Sequence, residues 1–229
     1  LGEWVLKLQQ KVDFIPKTIN RLQKDLNLKT PPIRIEAFDV SHLGGKDIVG
    51  SLVCYINTKP KKSEYRRFLI KTVLDNNDFA SMKEIVFRRY SRVIKDSGVL
   101  PDLILIDGGK GQLGVAFSVL KELGLEHIPV IGLAKRLEEV FIPGFKDPQS
   151  IDRQSPGLVL LRKIRDEAHR FAISYQKKKR NLNMIKSPFE SIQGIGKKRL
   201  SILLNSFESI KIISQLTPEV LNGETKIPI

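Results

Sequence analysis

The stretch Leu103-Ile-Leu-Ile-Asp-Gly-Gly109 decides the fold class of this chain. Its four consecutive aliphatic residues predict a strand buried on both faces, and the two glycines let the backbone turn directly after Asp107. A second such segment, Ile33-Arg-Ile-Glu-Ala-Phe-Asp-Val40, carries Asp39 within a strand suited to burial. Sites in open α/β sheets form where strands end. The two segments therefore predict an α/β protein with a pair of aspartates at one edge of its sheet.

The remaining pattern predicts the order of the elements around these strands. Residues 33–40, 48–56 and 64–70 are short segments rich in Val, Ile, Phe and Tyr, which favours three antiparallel strands. A helix with Asp78 at its N-cap follows, then the strand before Asp107, a helix ending at Gly124, and a strand near residues 129–133. The fold class is thus α/β: a mixed sheet of three antiparallel strands and a β-α-β unit, flanked by helices.

Three regions are predicted along the chain. Residues 1–30 have apolar residues at helical spacing, interrupted by Pro16, and are interpreted as a leader or linker helix. Residues 31–182 form the α/β domain, which ends in a long helix from about residue 155 to 179. Residues 187–229 form a small all-α module, and the chain stops in what looks like the middle of a motif, so we interpret it as a fragment.

Composition points to a polyanionic partner inside the cell. The chain has 39 Lys and Arg against 25 Asp and Glu, a net charge of +14, so nucleic acid is the leading partner and a functionally neutral basic surface the alternative. Cys54 is the single cysteine, so no disulfide forms within the chain and a reducing, cytoplasmic location is expected. No apolar stretch reaches the roughly 20 residues that a membrane helix requires.

Asp39 and Asp107 are the candidate metal ligands. A carboxylate in a buried strand is costly unless it is paired or binds a metal, and two converging carboxylates suit Mg²⁺ or Mn²⁺. The alternative is that each aspartate caps a local turn. His169, on the polar face of the long helix, is interpreted as a third ligand or proton carrier, although a histidine there is often a plain surface residue. Gly108-Gly-Lys-Gly111 does not have phosphate-loop spacing, so nucleotide hydrolysis is not expected.

The C-terminal module contains a turn typical of contact with the DNA backbone. A Gly-apolar-Gly turn exposes backbone amides to a phosphate, and a basic helix start stands beside it. The alternative is an ordinary helix-turn-helix corner that uses glycine for tightness. The candidate DNA-binding residues are Gly194, Gly196, Lys197, Lys198 and Arg199.

Five ordered motifs resemble the UvrC family, the nuclease subunit of bacterial nucleotide excision repair. They are Phe38-Asp-Val-Ser-His42, Ser63-Glu-Tyr-Arg-Arg-Phe68, Leu103-Ile-Leu-Ile-Asp-Gly-Gly-Lys-Gly-Gln-Leu113, Ile131-Gly-Leu-Ala-Lys135 and Arg165-Asp-Glu-Ala-His-Arg-Phe171. The resemblance implies a ribonuclease-H-like endonuclease followed by a helix-hairpin-helix module, of which the second hairpin is only begun.

The resemblance also implies an activity and its residues. The expected activity is incision of damaged double-stranded DNA on the 5′ side of a lesion, with Asp39, Asp107 and His169 as the active triad and Asp78 at a further position that the family uses. It implies a UvrB-type partner that loads the nuclease onto damage, although the segment contacting that partner is absent from this chain. The rival hypotheses are a non-catalytic DNA-binding module on a degenerate nuclease fold and an RNA-directed nuclease.

Overall fold

In the computed structural model, the chain divides into two compact units, Leu1–Ser174 and Tyr175–Ile229. The structure describes residues 15–43, 47–70, 77–134, 139–189, 199, 202–203, 206–207 and 210–225. The predicted helical segment from residue 4 therefore lies partly outside the described residues.

A seven-stranded mixed sheet forms the centre of the first unit. Its strands are β1 (Arg34–Leu43), β2 (Asp47–Ile56), β3 (Lys59–Pro60), β4 (Arg66–Leu69), β5 (Leu103–Ile106), β6 (Val130–Leu133) and β7 (Val140–Phe141). The order is β3-β2-β1-β5-β6-β7, with β4 also paired to β2. β1 pairs antiparallel with β2 and parallel with β5, so the predicted mixed sheet is confirmed.

Helices cover both faces of this sheet. They are α1 (Lys17–Asp25), α2 (Asp78–Lys95), α3 (Lys110–Glu122) and α4 (Pro156–Phe189), the last of which continues into the second unit. Buried residues of α1 and α4 share one core with alternate residues of the strands, and those of α2 and α3 share a second core on the opposite face. Residues two apart in a strand face the same side, so each strand contributes to both cores.

Helix α1 belongs to the first of these cores, although its segment was expected to be a leader or linker. Ile19 and Leu22 are fully buried there. Gly157 at the start of α4 lies so close that an added Cβ would stand 2.8 Å from the Cα of Leu22. The apolar stripe after Pro16 therefore packs against α4.

Three local predictions were wrong. Asn77 is the N-cap of α2, since its side chain accepts a hydrogen bond from the Ala80 amide at 3.0 Å, and Asp78 is the first helical residue. The third strand begins at Arg66 because a short 3₁₀ turn occupies Lys62–Glu64. Helix α4 runs ten residues beyond the expected end.

The second unit is helical where it is described. It contains the end of α4, α5 (Ile210–Ile213) and α6 (Pro218–Thr225), with Leu203 and Ile213 buried. Within the part of the chain that the structure describes, none of the helices has the length and apolar composition of a membrane-spanning segment.

Candidate metal centre

Strand register places Asp39 beside Asp107. Phe38 of β1 pairs with Ile106 of β5, so the two aspartates follow at the next position of neighbouring parallel strands. The Asp107 amide donates to the Phe38 carbonyl at 2.9 Å, which holds this register where β5 ends. Asp39 is 3% exposed and Asp107 is 7% exposed. The two carboxylates are therefore brought together in a largely buried environment, as predicted from the two strand sequences.

Alternation along the strands aims both aspartates at α4. Ile35 and Ala37 of β1, and Leu103 and Leu105 of β5, belong to the core that α4 covers. Asp39 and Asp107 continue these two alternations by one step, so they emerge on the same face at the end of that core. A helix crossing at this level can place a third side chain over them.

His169 is that third side chain. Its Nδ1 lies 3.5 Å from Oδ2 of Asp39. One ligand atom each from Asp39, Asp107 and His169 lies within 4.8 Å of the others, which is close enough for the three groups to share a cation. The three side chains could therefore hold one metal ion together. Their convergence supports a metal site more strongly than the presence of each residue in the sequence did.

Two serines support this arrangement, and neither was predicted from the sequence. Ser41, two residues after Asp39 on the same face of β1, donates to Asp39 Oδ2 at 2.7 Å and orients the carboxylate. Ser51, which pairs with Asp39 in the register of β1 and β2, is fully buried and donates to the Ala168 carbonyl at 3.0 Å. The spacing of Ser41 was a usable signal, whereas Ser51 meets Ala168 only through tertiary packing.

The loop after Asp107 depends on close backbone approach. At Gly132 of β6, an added Cβ would lie 2.8 Å from the Gly108 carbonyl oxygen. At Gly111, an added Cβ would lie 2.4 Å from the ring of Phe79. The glycines thus allow α3 to begin tightly beside the candidate metal centre, and Phe79 brings the start of α2 against the first turn of α3.

Asp78 precedes Phe79 at that start of α2. Within the described part of the chain it is not a member of the group formed by Asp39, Asp107 and His169. Its assigned role, which came from the family resemblance, stays a prediction.

The candidate DNA-binding residues belong to the second unit. Gly194, Gly196, Lys197 and Lys198 lie outside the described residues, while Arg199 is helical and exposed. Their role also stays a prediction.

A second group with metal-ligand spacing consists of Glu36, Cys54 and Glu64. Glu36 is fully buried and accepts hydrogen bonds from Arg34 at 2.8 Å and Arg89 at 2.6 Å. Arg34 also bonds Glu64. Burial is the main cause that raises the pKa of the Cys54 thiol to about 12, so it is a poor source of thiolate. This group is a buried ion-pair network in which arginines already compensate the carboxylates.

Comparison with known proteins decides the family. The UvrC RNase H endonuclease domain matches residues 23–173, a range that includes the three residues of the candidate metal centre. The chain belongs to the UvrC family. UvrABC system protein C from Prosthecochloris aestuarii is 48% identical over 227 residues, which cover 98% of this chain and 37% of that protein. The protein of the same name from Salinibacter ruber is 44% identical over 225 residues, covering 96% and 36%.

The chain thus spans little more than a third of the length of these curated UvrC relatives. Solved structures with some likeness include Ciona intestinalis endonuclease V with an inosine-containing DNA, at 18% identity, 64% coverage of each chain and a TM-score of 0.36. Endonuclease V from Bacillus subtilis is 14% identical, covers 69% and 91%, and has a TM-score of 0.34. The ribonuclease-H-like assignment therefore rests on the family match and on the sheet described above.

Proposed function

We propose that the first unit is a divalent-metal-dependent endonuclease that cuts damaged DNA on the 5′ side of a lesion during nucleotide excision repair. The observation that carries the proposal is the convergence of Asp39, Asp107 and His169 at the end of parallel strands in a UvrC-family domain. This convergence disfavours a degenerate nuclease fold, in which the two carboxylates and the imidazole need not lie within ligand distance of one another.

The residues of the candidate metal centre have different roles in this proposal. Asp39 and Asp107 offer the hard oxygen ligands that Mg²⁺ and Mn²⁺ prefer, and Ser41 keeps the Asp39 carboxylate in one orientation. A bound ion supplies positive charge where negative charge develops on the scissile phosphate and the departing oxygen. His169 is close enough to Asp39 to share the ion as a ligand, and it carries a proton if it is not a ligand.

In this proposal, the second unit binds the DNA. The turn of Gly194 and Gly196, with Lys197, Lys198 and Arg199, contacts the phosphates of duplex DNA, and the net charge of +14 supports such a partner. A UvrB-type subunit brings the nuclease to the lesion, as the shared name of the UvrABC system suggests. The location would then be the cytoplasm, where the chromosome of a bacterium lies.

The test is strand cleavage by Asp39→Asn and Asp107→Asn variants within the full-length protein. Both variants should lose incision in Mg²⁺ or Mn²⁺ while they keep their thermal stability, because each change removes a metal ligand and also relieves repulsion between neighbouring carboxylates. Asp96→Asn is the matched control, since that aspartate is 56% exposed at the end of α2. Melting temperature and incision of a lesion-containing duplex are measured on the same preparations.

Incision at the parental rate by either Asp39→Asn or Asp107→Asn would contradict the assignment of these residues as metal ligands. Equal cutting of an RNA duplex of the same sequence would favour an RNA-directed nuclease instead.

A further inference from the structure

An arginine-lined cavity of about 390 Å³ lies in the first unit, between the edge of the sheet and the second half of α2. Five arginines line it: Arg34, Arg66, Arg88, Arg89 and Arg92. Glu64 and Asp96 are the carboxylates in its wall, and Phe68, Val93 and Val99 give it an apolar part. A volume in this range is that of a small-molecule site.

The cavity is separate from the metal centre. Arg66 of β4 is joined in register to Leu52 of β2, which belongs to the core beneath α2 and α3. Arg34 of β1 is an odd number of residues from Asp39, so the two side chains leave opposite faces of the sheet. The scissile phosphate held at the metal centre therefore cannot be the ligand of this cavity at the same time.

Buried ion pairs hold the floor of the cavity in place. Glu36, fully buried, accepts hydrogen bonds from Arg34 at 2.8 Å, Arg89 at 2.6 Å and the Tyr90 hydroxyl at 3.2 Å. Burial acts to lower the pKa of Arg34, but its hydrogen bonds to Glu64 and Glu36 outweigh burial and raise that pKa. Two guanidinium groups are thus fixed and charged before any ligand arrives, which reduces the entropic cost of binding.

The arrangement of the guanidinium groups selects the class of ligand. Four carboxylates line the cavity or pair with its five arginines, so only one net positive charge remains; they are Glu36, Glu64, Asp96 and Glu84, which bonds Arg88 at 2.8 Å. A phosphate monoester presents three terminal oxygens, whereas a carboxylate or a phosphodiester presents two, so the monoester can accept hydrogen bonds from guanidinium groups on β1, β4 and α2 together. Guanidinium groups also match the several oxygens of a phosphate through paired hydrogen bonds.

We infer that this cavity binds a phosphate monoester. The group comes either from a free nucleotide or from the phosphorylated end of a nucleic-acid strand, and both present the same dianion to the arginines. The inference depends on the cavity alone and stands independently of the nuclease activity proposed above.

The test is calorimetric titration of the protein in the presence of EDTA, which keeps divalent ions from recruiting phosphate to the metal centre. The probes are inorganic phosphate, thymidine monophosphate, and one short DNA strand carrying either a 5′-phosphate or a 5′-hydroxyl. We expect the 5′-phosphorylated strand or the nucleotide to bind, and the hydroxyl strand to bind at least about tenfold more weakly than its phosphorylated form. Binding should weaken as pH falls through about 6, where the dianion gains a proton.

The variants are Arg66→Gln and Arg92→Gln, whose side chains are exposed at the rim, so the fold should tolerate the changes. Each should weaken phosphate binding by about tenfold, the loss typical of one charge-assisted hydrogen bond. Arg67→Gln is the matched control, because Arg67 is the adjacent residue and its guanidinium stacks over Phe171 on the other face of the sheet. Circular dichroism confirms that the three variants fold.

Preference for the nucleotide or for the phosphorylated strand identifies the source, and either result supports the inference. Equal weakening by the control and the rim variants would reduce the effect to net charge and overturn it. A short acidic peptide that binds more tightly than thymidine monophosphate would also overturn it, since the cavity would then be a docking site for a protein segment.

Discussion

The imidazole of His169 is far more exposed than its carboxylate neighbour in the candidate metal centre, at 43% against 4% for the side chain of Asp39. An exposed histidine on a helix carries little information in a sequence, because surface histidines are common. Its position 3.5 Å from Asp39 changes that interpretation. If His169 is a ligand or a proton carrier, removal of its imidazole should lower the incision rate.

We expect His169→Ala to lose incision activity by about 10²- to 10⁴-fold, the range for removing a general acid or base. The affinity for Mn²⁺ should fall much less, because Asp39 and Asp107 still provide two ligands. Single-turnover incision and Mn²⁺ titration measure the two effects separately. His127→Ala, an exposed histidine in a turn, is the control. Incision near the parental rate would return His169 to the surface interpretation.

Cys54 provides a residue-scale prediction about pH. It is fully buried in β2, and burial is the main cause that raises its pKa from 9.0 to about 12. A thiol pKa raised on folding contributes stability below about pH 9, and this contribution is lost as pH rises toward 12. We therefore expect alkylation of native protein at pH 8 to be slow and limited by unfolding, while denaturant makes it fast. Rapid alkylation of the native chain at pH 8 contradicts the burial.

Among the elements, the candidate metal centre depends on how α4 is held against the sheet. The hydroxyl of Ser51 in β2 donates to the carbonyl of Ala168, the residue before His169. Ser51 also pairs with Asp39 across β1 and β2. This one hydrogen bond therefore joins the helix that carries the imidazole to the strand beside the carboxylate, and we propose that Ser51 positions the site.

Replacement of Ser51 by Ala should lower the incision rate about tenfold, since displacements of about 1 Å at a reacting group cost up to about 10²-fold. Thermal stability should fall only by the modest amount typical of one buried hydrogen bond. Ser81→Ala is the matched control, because Ser81 of α2 is equally buried and donates to the carbonyl of Asn77, the N-cap of that helix. Equal incision by the two variants would show that the Ser51 bond is structural only, and recovery by Ser51→Thr would support positioning.

Across the whole molecule, the proposed function assigns catalysis and DNA binding to different units. The first unit contains the three candidate metal ligands, whereas the basic Gly-apolar-Gly turn lies in the second. In the proposed function, the second unit provides affinity for DNA and the first unit provides the chemistry. The two contributions should be separable by substitution.

Changing Gly194 and Gly196 together to Val should weaken DNA binding and incision while the first unit stays folded, because side chains there block approach of the backbone to phosphate. The dependence of affinity on salt should become shallower, by about 0.9 in the logarithmic slope for each phosphate that the protein no longer neutralises. Binding curves at several salt concentrations measure this, with a Lys163→Gln variant as a control for the removal of one charge on α4. Curves that overlay those of the parent would leave the turn without a role in binding.

Local sequence pattern was sufficient to predict several elements and two site residues of this protein. Alternation and burial predicted β1, β2 and β5, and the aspartates at Asp39 and Asp107 followed from carboxylates placed in strands too apolar to hold them without compensation. Sequence-based prediction failed where two neighbouring residues could each make the same local hydrogen bond, as at the N-terminus of α2. Asn77 and Asp78 both suit an N-cap, so the choice between them was not available from composition.

Which distant side chains meet became known from the three-dimensional fold alone. The contact between Ser51 and Ala168 joins residues 117 positions apart, and the arginines of the cavity come from β1, β4 and α2. Such contacts arise from strand order, register and the path of α4 over the sheet, and these are collective results of packing two apolar cores. A periodic pattern records which face of an element is buried, but it contains no information about the partner that covers that face.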